Sequence, residues 1–149
     1  MLRIIGKILL FIFPWLIFSQ LKTPFSSYDF ENDSNYKNEL KLLKNHPNGE
    51  YEGIIKSIAE LSYHYKDWET AIDYYEKLLV NSPKAENYFK LGVAAARKSL
   101  EVPRFLSVPY VIKARKSVLQ AHELAPKRVV FLILLIQLYA EIPRLFGGS

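Results

Sequence analysis

Two separate stretches of the chain carry similar residues at identical spacing. Each has an apolar residue at relative positions 0, 4 and 7 and a proline at position 12: Ala71, Tyr75, Leu78 and Pro83 in one, Ala114, Val118, Ala121 and Pro126 in the other. Intervals of four and three place side chains on one face of an α-helix, and the proline marks a helix boundary. The same helical unit therefore occurs twice, which predicts an internal repeat.

The rest of the chain from residue 34 onward also has helical periodicity. Apolar residues recur at intervals of three and four over 51–65 and 68–80, and no run longer than a few residues alternates with a period of two. This pattern predicts an all-α fold of antiparallel helix hairpins joined by short loops and stacked as a short α-solenoid.

Polar residues mark the expected ends of these helices. Ser34 or Asp33 can accept a hydrogen bond from the first-turn amides of a short helix that ends before His46. Ser82 followed by Pro83 predicts the cap and first position of a later helix.

The small and bulky residues before Ala71 carry a family resemblance. Ile55, Ile58 and Ala59 precede Ala71 by 16, 13 and 12 residues. With the pattern that follows Ala71, this arrangement resembles the tetratricopeptide repeat. The later units fill the same first-helix positions with Tyr88, Leu91, Gly92 and Ala95, and with Leu132, Leu135, Ile136 and Tyr139. The resemblance implies a repeat domain over 34–149, with units at about 51–83, 84–126 and an incomplete 127–149.

Small residues at matching positions have a mechanical explanation. Ala59 opposite Ala71, and Gly92 opposite Ala114, would let the two helix backbones of each hairpin approach closely. We therefore expect these positions to be buried at the helix crossings.

The resemblance also implies which residues face a concave groove. These first-helix positions are Lys56, Glu60, Tyr63, His64, Phe89, Val93, Arg97, Gln137 and Glu141. The implied function is a non-enzymatic scaffold that binds a peptide or a partner protein in this groove. Glu60 and Val93 stand where the family's carboxylate-gripping groove has asparagine, so the C-terminal carboxylate of a ligand is not the expected anchor. The alternative is an accessory solute-binding subunit of a periplasmic transport system, which a deep apolar pocket would favour.

The second unit has about ten residues more than the first between its helices. They run from about Ser99 to Val108 and include Glu-Val-Pro-Arg-Phe-Leu, which the chain nearly repeats as Glu-Ile-Pro-Arg-Leu-Phe at 141–146. The Pro-x-x-x-Gly-Gly-Ser run at 143–149 resembles a long loop within the repeats of some exported bacterial members of the family. We therefore expect loops at 99–108 and 143–149, with the third unit ending between its two helices.

Residues 1–19 follow the pattern of a secretory signal peptide. Met1–Lys7 carries two cations, and the eleven residues Ile8–Phe18 are uncharged and apolar apart from Pro14. As an α-helix this run rises only ~16 Å, about half of the hydrocarbon core of a bilayer. We expect cleavage before Gln20, a flexible linker at 20–33, a periplasmic or secreted chain and no stable membrane span after cleavage. The alternative is an uncleaved inner-membrane anchor.

Residue types that carry catalysis or bind metals are few and scattered. The chain has no cysteine, and none of His46, His64 and His122 is paired with another at i, i+4 spacing, so no metal site and no cofactor are expected. No nucleophile elbow or glycine-rich phosphate loop is present. His64, among aromatic residues, is either a groove contact or a packed histidine at a hairpin end.

The charge balance does not indicate nucleic acid binding. The formal net charge is +5, of which Arg3 and Lys7 in the leader contribute two. The one basic cluster consists of Lys113, Arg115, Lys116, Lys127 and Arg128. No aromatic residues are interleaved with it, so a solvated helix face is favoured over a site for phosphate or an acidic partner.

The final helical stretch is apolar on every side. Eight consecutive apolar residues occupy 129–136, too few to span a bilayer. Such a helix needs cover on more than one face. We therefore expect either further repeat residues after Ser149 or self-association of the chain through 129–142.

Overall fold

The computed structural model describes residues 29–145, with side chains up to residue 140. The predicted signal peptide, most of the predicted linker, and the glycines and serine at 147–149 lie outside these residues. The described part contains six helices and no strand: α1 (Ser34–Lys44), α2 (Glu52–His64), α3 (Trp68–Asn81), α4 (Ala85–Glu101), α5 (Arg104–Leu124) and α6 (Val129–Leu145). The predicted all-α fold is confirmed.

The helices pack in chain order, as in a helical-repeat fold. Helices α2, α4 and α6 lie side by side: Lys90 of α4 pairs with Glu60 of α2 at 2.6 Å, and Phe89 of α4 stacks on Phe131 of α6. Helices α3 and α5 are neighbours on the other side, where Lys113 pairs with Glu76 at 2.6 Å. Helices α2, α4 and α6 therefore form one layer, and helices α3 and α5 form the other.

Small residues allow close helix crossings, as expected. Ala59, Ala71 and Ala114 have no exposed surface. A Cβ atom on Gly92 would lie 2.5 Å from Val118 Cγ2 and 3.2 Å from the carbonyl oxygen of Ala114. Helices α4 and α5 therefore approach each other so closely that only glycine fits at this position.

Helix α1 is attached to the first hairpin through one buried tyrosine. Asp33 caps α1 by accepting a hydrogen bond from the Tyr36 amide at 2.9 Å, as predicted. The Tyr36 hydroxyl donates to Asp67 Oδ2 at 2.5 Å and lies 3.2 Å from Ser62 Oγ. Asp67 also caps α3, because its Oδ1 accepts from the Thr70 amide at 3.1 Å. Three helices thus meet at one carboxylate.

The prediction of a loop at 99–108 is wrong. Helix α4 continues to Glu101 and α5 begins at Arg104, so the extra residues lengthen both helices and leave two residues between them. Their backbone remains hydrogen-bonded, and the hydroxyls of Ser99 and Ser107 donate to carbonyls of their own helices at 2.7 Å. Pro103 stands at the N-cap of α5, where a missing N–H breaks no helical bond.

Two further expectations about helix ends are also wrong. Helix α4 begins at Ala85 with Lys84 as its N-cap, so Ser82 and Pro83 precede it. Ser82 ends α3 instead, and its carbonyl accepts from Asn87 Nδ2 at 2.9 Å. The prediction of a loop from residue 143 onward is wrong for residues 143–145, because α6 remains helical to Leu145, and residues 146–149 lie outside the described residues.

Buried tyrosines predict loss of stability at alkaline pH. Burial raises the pKa of Tyr36, of Tyr63 and of Tyr75. Because these folded-state pKa values lie above the unfolded value of about 10, stability is constant below pH ~10. Above pH ~10 the tyrosines ionise in the unfolded state while they stay protonated in the folded state. The free energy of unfolding then falls by up to ~1.4 kcal/mol per pH unit for each tyrosine. Urea unfolding at pH 8 to 11 should show a shallower fall for Tyr75→Phe than for the exposed control Tyr51→Phe. An equal fall of the free energy of unfolding with pH in the two variants would contradict the raised pKa of Tyr75.

Candidate ligand-binding groove

The layer of first helices contains a pocket between α4 and α6. Its volume is about 340 Å³, and α5 closes its base through Val111. The lining is mainly apolar: Phe89, Val93, Ala96 and Leu100 from α4, and Val130, Ile133, Leu134 and Leu138 from α6. Three polar residues also line it: Arg97, Ser99 and Gln137. An apolar pocket with a few polar groups is the usual form of a ligand site.

Aromatic packing holds the two walls of the pocket together. The rings of Phe89 and Phe131 lie 4.7 Å apart, and Phe131 has no exposed surface. The guanidinium of Arg128 lies 5.1 Å from the centre of the Phe131 ring and pairs with Glu86 of α4 at 3.0 Å. These contacts join the start of α6 to the first turn of α4, so the distance between the walls is fixed at that end.

A polar strip adjoins the pocket on the α2 side. Lys90 donates to both carboxylate oxygens of Glu60, at 2.7 and 2.6 Å, and its Nζ lies 5.9 Å from the centre of the Tyr63 ring. Burial raises the pKa of Tyr63, while the positive charge of Arg97 acts in the opposite direction. Arg97 therefore lies within electrostatic range of Tyr63 and also lines the pocket. The strip is therefore linked to the pocket through Arg97.

The structure brings together most of the residues predicted for the groove. Phe89, Val93, Arg97 and Gln137 all line the pocket. Glu60 and Tyr63 lie in the polar strip beside it, and Tyr63 also packs edge-on against Trp68 and Tyr75. Six of the nine predicted groove residues thus lie in the pocket lining or in the adjoining strip.

The other three predicted groove residues are placed neither in the pocket lining nor in the polar strip. Lys56 and His64 are exposed on α2, and the His64 ring lies edge-on to Tyr65 at 5.2 Å, as expected for a histidine packed at a hairpin end. Glu141 belongs to α6, but its side chain lies outside the described residues.

Sequence reasoning missed part of the surface. Lys90 was not predicted, because its partner Glu60 is thirty residues away and no local pattern links them. Val130, Ile133 and Leu134 belong to the apolar run noted at 129–136, but their place in a pocket depends on the distance between α4 and α6.

The described residues contain neither a candidate metal site nor a membrane-spanning helix. Among them, no group of three or more His, Cys, Asp or Glu residues is placed to bind a metal ion. None of the helices at 34–145 is long and apolar enough to cross a membrane.

Comparison with known proteins gives no relative on which to base a function. No family model, no curated protein and no solved structure matches the chain.

Proposed function

We propose that this chain is a non-enzymatic protein-interaction module of the tetratricopeptide-repeat type, which binds a peptide or a segment of a partner protein in its groove. The observation that carries the proposal is the pocket between α4 and α6, where four residues placed in the groove by the repeat register line a single cavity of about 340 Å³. The apolar walls can bury a side chain of the ligand, and the charged strip beside them can orient a polar group next to that side chain.

The lining indicates the chemistry of the ligand. Phe89, Val93 and Ile133 would contact an aliphatic or aromatic side chain, which burial stabilises. Arg97 stands at the same pocket, and Lys90 lies in the adjoining strip. Because the ammonium of Lys90 is already paired with Glu60, it is the positive charge of Arg97 beside the apolar pocket that favours an acidic group next to the anchoring residue. The proposed ligand is therefore a peptide with a large apolar residue close to an aspartate or glutamate.

Selection from random peptides tests this proposal. Panning a displayed twelve-residue library against the full chain should enrich peptides of that type, and fluorescence anisotropy should then measure their affinity. We expect Arg97→Ala and Phe89→Ala to weaken binding at least tenfold, because interface energy concentrates in arginine and aromatic anchors. Arg115→Ala, at an exposed position of α5, is the matched control and should change affinity less than twofold. Circular dichroism melts exclude variants that unfold.

Two results would contradict the proposal. One is the absence of any enriched sequence, and the other is an equal loss of affinity for the Arg97 and Arg115 variants. The second result would attribute peptide binding to general positive charge rather than to the pocket.

The pocket also supports the alternative function, an accessory solute-binding subunit. A volume of about 340 Å³ with mainly apolar walls falls in the range of small-molecule sites, roughly 300–1,000 Å³. Native mass spectrometry of the purified chain separates the two functions, because a retained solute and a retained peptide differ in mass.

The proposed place of action is outside the cytoplasm, in the periplasm or beyond the cell. This part of the proposal rests on the charge and hydropathy pattern of residues 1–19, which lie outside the described residues. An inner-membrane anchor made of the same residues is the alternative.

A further inference from the structure

Helix α6 has a regular apolar stripe on its exposed side. Val129, Leu132, Ile136 and Tyr139 are 65%, 42%, 59% and 48% exposed, and they follow one another at intervals of three, four and three residues. We call these four residues the α6 stripe. Its intervals are those of the seam of a coiled coil. The buried side of the same helix uses other residues, chiefly Phe131, Leu135 and Leu138.

The repeat register shows what this face does in the other units. Ile136 occupies the position that Ala59 has in the first unit and Gly92 in the second. Gly92 lies directly against Ala114 and Val118 of α5, the second helix of its own unit. The α6 stripe is therefore the face on which a first helix packs against another helix, and no element at 29–145 covers it.

The side chain of Ile136 is too large for another helix to approach α6 as closely as α5 approaches α4 at Gly92. At Gly92 a single added Cβ would already lie 2.5 Å from Val118. Isoleucine at the equivalent position requires a wider separation, and helices joined through interlocking side chains pack with their axes ~8–10 Å apart. The α6 stripe therefore fits a helix that packs at this wider separation.

We propose that the α6 stripe binds the same stripe of a second copy of this chain, with the two α6 helices antiparallel about a two-fold axis. Residues 129–140 contain no charged side chain, so identical faces meet without like-charge repulsion. The exposed surface of the four stripe residues amounts to roughly 400 Å² per copy, or roughly 800 Å² in total, which is below the ~1,000 Å² of stable specific interfaces and typical of weak, transient ones. The dimer is therefore expected to be weak and to form only as the chain concentration rises.

The proposal is independent of the groove. The pocket is lined by the α6 residues that face α4, whereas none of the four stripe residues lines it. Dimer formation and peptide binding can therefore succeed or fail separately.

Sedimentation of the full chain tests the dimer. Between 1 and 100 µM, we expect the weight-average mass to rise from that of one chain toward that of two. Ile136→Lys should raise the dissociation constant at least tenfold, because it puts two ammonium groups into one apolar seam. Val80→Lys makes the same exchange at an exposed apolar residue of α3 and should leave the dissociation constant unchanged. A wild-type chain that stays monomeric at 100 µM would overturn the proposal, as would equal effects of the two lysines.

Disulfide trapping identifies the contact itself. The chain has no cysteine, so a single engineered one reports only contacts between copies. Leu132→Cys mixed with Ile136→Cys should give a mixed disulfide-linked dimer at a rate at least tenfold above Leu132→Cys mixed with Val80→Cys. Equal rates would overturn the proposal. Protection of both cysteines from small thiol reagents in a monomeric chain would also overturn it, by showing that another part of the same chain covers the stripe.

Discussion

Replacing Gly92 with leucine is expected to destabilise the protein by about 3 kcal/mol, at the upper end of the cost of overpacking a core. A Cβ at this position would lie 2.5 Å from Val118 Cγ2 and 3.2 Å from two backbone atoms of α5, the carbonyl oxygen of Ala114 and the amide of Val118. Val118 is fully buried and its side chain is branched at Cβ, so no other rotamer frees the space. The larger side chain can fit only if α4 and α5 move apart.

Urea unfolding of a graded series measures this effect. We expect Gly92→Ala to cost ~1–2 kcal/mol, less than leucine but in the same direction, although alanine favours helices by ~1 kcal/mol over glycine. Gly53→Ala is the matched control. There the Cβ would meet only the ring of Tyr51 at 2.9 Å, and that ring is 69% exposed and free to turn away. Gly53→Ala should therefore be neutral or stabilising. A cost below ~0.5 kcal/mol for Gly92→Leu would show that α4 and α5 do not cross at Gly92.

The spacing of small residues was sufficient to predict the hairpin crossings. Small residues occupy both crossings, Ala59 and Ala71 in one and Gly92 and Ala114 in the other, because helices that approach so closely leave little room for larger side chains. The packing can therefore be predicted from the sequence. The Asp33 cap was predictable for a similar reason, since it depends only on the amide three residues away.

The extra residues at 99–108 could not be assigned correctly from the sequence. Pro103 and Pro109 lower the local helix propensity, which favours a loop. In the fold, Pro103 falls at the end of one helix and Pro109 only five residues into the next, so most backbone bonds survive. Packing of α4 against α5 then stabilises both extensions. This contribution depends on residues distant in sequence, which no local pattern reports.

For the groove too, the sequence predicts which residues share a helix face but not how far apart the helices lie. Register alone places Phe89, Val93, Arg97 and Gln137 on one face, because all units share one helical phase. The pocket itself depends on the distance between α4 and α6, which the Phe89–Phe131 stack and the Arg128–Glu86 pair fix over more than forty residues of sequence. Such pairs are apparent only once the helices have been placed.

The groove and the α6 stripe together suggest how the protein would act in a complex. A dimer joined through α6 would present two grooves on one assembly. If a partner carries two copies of the recognised segment, the second binding event becomes intramolecular, and avidity exceeds the affinity of one groove. The partner would then also stabilise a weak dimer, because partner binding and dimer formation are thermodynamically coupled.

Replacing Asp67 with alanine is expected to lower the free energy of unfolding by ~2–4 kcal/mol. The carboxylate caps α3 through the Thr70 amide, and loss of such a cap costs about 1 kcal/mol. It also accepts the Tyr36 hydroxyl, and loss of a buried hydrogen bond to a charged group costs a further ~1.5–3 kcal/mol. Tyr36 is 2% exposed, so water does not replace the lost acceptor, and its hydroxyl keeps only Ser62 Oγ at 3.2 Å.

A double-mutant cycle with Tyr36→Phe measures how much of this cost belongs to the connection between α1 and the first hairpin. The two single substitutions remove the same hydrogen bond, so their combined cost should fall at least 0.5 kcal/mol short of their sum. Asp73→Ala, at an exposed position of α3, is the control and should change stability by less than ~0.5 kcal/mol. Additive costs in the cycle would mean that Asp67 acts only as a helix cap. In that case α1 would be held by the burial of the Tyr36 ring, whose centre lies 5.0 Å from that of Tyr65, and not by its hydroxyl.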